Sequence, residues 1–164
     1  MDIVDADAGH WPQIWPIFAA VVEAGRTYAY PWPIAPEVAQ QLWLEPTPGH
    51  AVVAAEDGEV LGTAKMGPNR PGRGAHVATA SFMVSPAAQG RGVGRALAEY
   101  AIDWARTQGY RGMQFNAVVE TNTAAVHLWQ SLGFTVVGTV PEAFDDAVHG
   151  MVGLHVMYRP LRQE

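Results

Sequence analysis

The sequence predicts an α/β fold: a mixed sheet with a parallel strand pair at its centre and antiparallel hairpins on either side. Three observations carry this. First, residues 76–84 form an apolar run that stops at Pro86, and a helical pattern soon follows in which Val93, Leu97, Tyr100, Ala101 and Trp104 share one face. Second, another strand-like run, residues 112–119, comes after that helix. Strand, helix, strand requires a crossover, and so parallel pairing of the two strands. Third, residues 51–56 and 59–66 are joined by Asp57-Gly58, a two-residue hairpin signal.

The remaining elements fall into place around this centre. Residues 2–6 read as a first strand. Residues 11–24 place Ile14, Ile17, Phe18, Val21 and Val22 at helical spacing, with Pro12 suited to a first turn and Gly25 to a stop. Pro16 removes a helical hydrogen bond, so this helix is expected to start late or bend. Three prolines and three aromatics in residues 28–36 make an extended, stiff segment, and a second short helix is expected over 36–44. Residues 68–74 are a loop by composition. Asn122-Thr123 is a helix N-cap before Ala125, Leu128, Trp129 and Leu132. Residues 134–140 and 151–159 read as a last strand pair joined by a long acidic loop, 141–150. There are no internal repeats, and we expect one domain over residues 1–164.

Composition excludes several classes. With 49% hydrophobic residues in 164 the chain can bury a core. A net charge of −6 argues against nucleic-acid binding. The absence of cysteine removes disulfides, thiolate metal sites and a cysteine nucleophile. The acidic N-terminus is no signal peptide and no apolar stretch reaches membrane-spanning length. The expectation is a cytoplasmic protein with no membrane, nucleic-acid or metal partner.

The chemistry concentrates where the central strand meets its helix. Gln89, Gly90, Arg91, Gly92, Val93, Gly94 and Arg95 form a glycine turn opening a helix. A helix start has free N–H groups and a partial positive charge, glycines let an oxygen-rich group approach the backbone, and two arginines add formal charge. This is a diphosphate cradle. It is neither a Walker A loop, since no Gly-Lys-Ser/Thr follows, nor a dinucleotide fingerprint, since the spacing is G-x-G-x-G.

Val84-Ser85-Pro86 followed by Gln89-Gly-Arg-Gly-Val-Gly94 resembles the Q/R-x-x-G-x-G/A signature of the GNAT acetyltransferase superfamily. The run from Asn122 to Phe134 resembles that family's second hallmark, N-x-x-A-x-x-L-Y-x-x-x-G-F. The resemblance implies a mostly antiparallel, six- to seven-stranded sheet with a splayed central parallel pair and about four helices. It implies acetyl-CoA as co-substrate, with backbone groups of Met83 and Val84 on the pantetheine arm and thioester, N–H groups of residues 89–95 on the diphosphate, Asn122 on the arm or diphosphate, and Trp129 near the thiol. It also makes the segment carrying Tyr28, Tyr30 and Trp32 one wall of a pocket for an amine acceptor, beside Thr79 and Ser81 on one face of the central strand. Dimers are common in the family.

Two departures stand out. Trp129 replaces the family's tyrosine, and an indole cannot supply a proton at neutral pH. No carboxylate lies in residues 76–84, where many relatives carry a glutamate; His76 is the nearest group of suitable type. Asn116 is unusual in mid-strand and, if buried, needs partners. Asn116 and Asn122 are similar to a pair in the yeast acetyltransferases that detoxify azetidine-2-carboxylate, which implies that Asn116 aligns the amine of a small amino or imino acid. Acetylation of a protein N-terminus or lysine, and a non-catalytic acyl-CoA-binding module, remain open as alternatives.

Overall fold

A computed structural model describes residues 1–161. Strands β1 (Asp2–Asp5), β2 (His50–Glu56), β3 (Glu59–Pro68), β4 (Val77–Val84), β5 (Gly112–Val119), β6 (Thr135–Asp146) and β7 (Gly150–Pro160) make one sheet in the order β1-β2-β3-β4-β5-β7-β6. Helices are α1 (Trp11–Ala24), α2 (Pro36–Trp43), α3 (Val93–Thr107) and α4 (Thr123–Ser131). None of the described helices is long and apolar enough to cross a membrane.

The β4–β5 pair is parallel and every other neighbouring pair is antiparallel. The parallel register holds at Val77↔Gly112 and Ala78↔Met113, after which the strands part. β5 has a reason to turn away: its pairing with β7 shifts register between Phe115 and Val118, and such a bulge bends the strand that carries it.

Alternation along the strands sends neighbouring side chains to opposite faces. Val52, Ala64, Ala78 and Met113 face Leu97 and Ala101 of α3, together with Trp129 and Phe134. Val53, Val60 and Met83 face Trp11, Ile14 and Phe18 of α1 and Trp43 of α2. α2 is pinned by a buried polar contact: Trp43 Nε1 donates to Thr63 Oγ1 at 3.0 Å, and that hydroxyl donates to the Val52 carbonyl at 2.8 Å.

Two expectations are corrected. α1 does not start late but runs unbroken from Trp11 through Pro16, because a proline in the second turn removes a single bond while the face carrying Trp11, Ile14, Ile17, Phe18 and Val22 stays buried. The acidic loop is much shorter than expected. After an irregularity between Val140 and Phe144, where Pro141 cannot donate and Glu142 adopts φ 51°, pairing resumes at Phe144↔Val152 and continues to Asp146↔Gly150. Burial of Phe144 against Val119 and Val152 holds this extension.

Candidate active site

The glycine turn stands where β4 ends and α3 begins. Gly90 and Gly92 have φ of 77° and 78°, a conformation side chains resist, and Gly92 is the N-cap of α3. Gly94 lies inside the first helical turn, where an added Cβ would meet ordinary contacts. The aim of the helix is fixed from beneath. A Cβ on Gly62 of β3 would lie 2.8 Å from Val93 Cγ1 and 3.1 Å from both Leu97 Cδ1 and the Met83 carbonyl. The lack of a side chain at Gly62 therefore lets the first turn of α3 sit directly on the sheet. Arg91 pairs with Glu56 at 2.6 Å, and Arg95 contacts Ser131 Oγ at 2.9 Å and Glu99 at 3.6 Å. Exposed pairs of this kind are worth about 0–1 kcal/mol and yield readily to a multiply charged anion. A cleft of about 500 Å³ lies beside them, lined by Arg95, Thr123, His127 and Ser131.

From this turn the free edge of β4 leads into the gap. Antiparallel ladders alternate residues bonded to a given neighbour with residues facing away. Ser85 N–H bonds to the Leu61 carbonyl of β3, and the register continues as Thr63↔Met83. Met83 therefore turns its backbone groups to β3, and its side chain is buried. Phe82 and Val84 turn theirs to the gap. This corrects the pair expected from sequence: Phe82 takes the place of Met83, because the resemblance alone gave no strand phase.

The Phe82 groups already have a partner. The Tyr28 hydroxyl donates to the Phe82 carbonyl at 2.7 Å and accepts from the Phe82 N–H at 2.8 Å. Burial pushes the Tyr28 phenol well above its ordinary range, against the opposing pull of the Phe82 bond. Tyr30 is pushed up to about 12, first by burial and then by the charge of Glu45. Both are neutral hydroxyls at physiological pH. Tyr30 packs on Phe18 with centroids 5.1 Å apart, and the exposed Trp32 stacks on Trp15 at 6.3 Å.

On the α1/α2 face a cleft of about 510 Å³ is lined by Thr79 and Ser81 of β4, Lys65 and Gly67 of β3, and the loop carrying Glu45 and Pro48. Lys65 Nζ donates to the Leu42 carbonyl at 2.8 Å and lies 3.7 Å from Glu45. Ser81 stands beside Tyr28, so the cleft borders the gap.

Asn116 sits in the β5 bulge and is exposed rather than buried. Its Oδ1 accepts from Gln114 Nε2 at 2.9 Å and its Nδ2 donates to Asn69 Oδ1 at 2.6 Å, an amide chain spanning from β5 to the loop after β3. Asn69 carried no sequence signal beyond a turn composition. Asn122 caps α4, its Oδ1 accepting from Ala125 N at 3.3 Å. Trp129 belongs to the opposite face, 5.0 Å from the Phe82 ring and 4.7 Å from that of Phe115. His76 is not gathered with the others. It is exposed at the closed end of the parallel pair, six residues and roughly 20 Å of strand from Phe82.

A clamp that the sequence did not signal steadies this face. Asp146 is buried, accepting from Thr121 Oγ1 at 2.6 Å and from Val148 N at 3.0 Å, with Arg26 Nε 2.6 Å away. Those hydrogen bonds, then Arg26, hold its carboxyl far below the usual carboxylate range. It joins the end of α1, the approach to α4 and the β6–β7 turn.

A glycine turn at a helix start, a splayed strand edge and a bordering cleft thus lie together along β4. The model of the acetyltransferase (GNAT) family matches residues 17–134. The chain belongs to the GNAT family. A GCN5-related N-acetyltransferase from Kribbella flavida is 60% identical with a TM-score of 0.95, covering 98% of this chain and 97% of that one. The protein yncA of Salmonella typhimurium, solved with its cofactor acetyl-CoA, is 29% identical with a TM-score of 0.83, covering 100% of this chain and 95% of that one. The L-amino acid N-acyltransferase MnaT of Escherichia coli is 38% identical over 56% of this chain and 53% of its own length. N-acetyltransferase aca1 of Schizosaccharomyces pombe is 37% identical over 51% of this chain and 40% of its own. The chain thus spans about half the length of these curated relatives. As a GNAT co-substrate, acetyl-CoA fits the residues present: a diphosphate suits the turn at Gly90–Gly94, and an extended arm bearing amides suits the Val84 and Phe82 edge.

Proposed function

We propose that this GNAT protein transfers the acetyl group of acetyl-CoA to the amine of a small molecule, an amino or imino acid, by direct attack. The observation that carries this is the continuity of three features: the anion turn at Gly92, the gap edge at Val84 and Phe82, and the cleft bounded by Thr79, Ser81 and Lys65. The relation to MnaT, named an L-amino acid N-acyltransferase, supports the acceptor class. So does the cleft, in which a lysine stands opposite a carboxylate and hydroxyls line the floor.

In this reading the N–H groups at the start of α3 and Arg91 and Arg95 hold the diphosphate. Phe82 and Val84 pair with the extended arm, and a gap N–H polarises the thioester carbonyl. Asn116 aligns the amine while its partners Asn69 and Gln114 fix its orientation. The amine nitrogen forms a bond to the acetyl carbon, the carbon–sulfur bond breaks, and water carries the amine proton away and supplies one to the sulfur. Trp129 acts as packing for the Phe82 strand, and residues 1–164 act as a single domain.

A thiol-release assay with acetyl-CoA tests this against free amino acids, imino acids, polyamines and peptides. The expected result is turnover with amino or imino acids and intersecting initial-rate lines. A blank across the panel alongside tight acetyl-CoA binding would point to a non-catalytic acyl-CoA module. An acetylated enzyme on the pathway would overturn direct attack.

A further inference from the structure

The Tyr28 hydroxyl stands where a partner strand would stand. In a β-strand the N–H and C=O of one residue point to the same edge. A single phenol fills both groups of Phe82, at 2.8 and 2.7 Å, on the side where β5 has already left the ladder. An extended, amide-bearing chain entering from the Gly92 turn reaches Val84 first and Phe82 next, at the two-residue spacing at which strand groups face one edge. Phenol and chain therefore compete for the same pair of backbone groups.

What the phenol does when displaced is also set by its surroundings. Ser81 lies beside it and lines the acceptor cleft. The rest of its segment is held by rings, Tyr28 on Tyr30 at 6.1 Å and Trp32 on Trp15 at 6.3 Å, which tolerate a sliding shift better than a directional bond does.

We propose that Tyr28 is a positioning residue that exchanges partners during the cycle: the acetyl-bearing arm of acetyl-CoA displaces its hydroxyl from Phe82, and the released phenol, beside Ser81, completes the wall of the acceptor cleft. This rests on the reading of the gap as the acetyl-CoA site.

The test compares the unaltered chain with Tyr28→Phe by calorimetry, using acetyl-CoA and, separately, adenosine 3′-phosphate 5′-diphosphate, which lacks the arm. Removing the competing hydroxyl should tighten acetyl-CoA roughly 5- to 30-fold, the worth of one or two net hydrogen bonds. The armless fragment should bind both forms within about twofold. A general packing defect would move both ligands together. Equal or weaker acetyl-CoA binding by Tyr28→Phe overturns the exchange while leaving the proposed function standing. Failure of the unaltered chain to bind acetyl-CoA at all sinks both. Should Tyr28→Phe not fold, crystals of the unaltered chain with acetyl-CoA decide. The Tyr28 hydroxyl out of hydrogen-bond reach of Phe82 N supports the exchange; the hydroxyl still on Phe82 with the arm in the gap overturns it.

Discussion

Replacing Gly62 with alanine puts a methyl group under the point where α3 begins. Its carbon would lie 2.8 Å from Val93 Cγ1 and 3.1 Å from Leu97 Cδ1 and the Met83 carbonyl. Relief by rotating Val93 is closed, since a β-branched residue in a helix has one strongly preferred rotamer. The first turn of α3 must lift by about half an ångström or more to restore ordinary contact. Overpacking of this kind costs about 1–3 kcal/mol, less the ~0.5–1 kcal/mol that alanine returns in backbone entropy. The net cost is up to about 2.5 kcal/mol, and for a chain of this size the melting temperature should fall by up to about 10 °C. The lifted turn also withdraws N–H groups from the diphosphate. At ~0.3–1 kcal/mol for each charge–dipole contact, the loss of two such contacts should weaken acetyl-CoA binding about 3- to 30-fold. Calorimetry with acetyl-CoA and with adenosine 3′-phosphate 5′-diphosphate should show the same loss, because the damage lies at the phosphates. Unchanged affinity for both ligands in a destabilised Gly62→Ala would refute the claim that this glycine aims the helix.

Three other outcomes follow from named contacts. Asn116→Ala should lower turnover about 10- to 100-fold while acetyl-CoA affinity stays within about twofold; equal turnover removes Asn116 from the mechanism. Thr63→Val strands Trp43 Nε1 in the core. That should cost about 1–3 kcal/mol and lower the melting temperature by about 2–12 °C, and a shift under about 1 °C rejects the pin. Asp146→Asn should melt below the unaltered chain at pH 7. A carboxyl held low in the folded state contributes above its unfolded value of about 3.9 and loses that contribution as pH falls. The melting gap should therefore narrow progressively as pH falls below about 5, and a gap that stays constant down to about pH 2 would rule out the charged clamp.

The motifs were legible because glycine and proline leave local marks. The Gly90–Gly94 turn, the Asp57-Gly58 hairpin and the Asn122 cap each follow from the conformations those residues permit. The crossover between β4 and β5 followed from element order alone. Where the sequence misled, the cause was a competing tertiary contact. Pro16 reads as a break, yet the buried face of α1 outweighs one lost bond. Asp146 reads as part of a long acidic loop, yet Thr121, Val148 and Arg26 converge on its buried carboxylate. Gly62 and Asn69 carry no motif, since their roles lie in what approaches them from distant chain positions.

By itself the sequence determined the parallel crossover, the glycine turn that opens α3 and the family, because these depend on residues a few positions apart. Only the tertiary structure decided which backbone groups face the gap, that Phe82 rather than Met83 offers them, and that Tyr28 holds them from 54 residues away. The physical reason is that strand phase and side-chain reach are set by pairing and packing across the sheet, which no local spacing encodes.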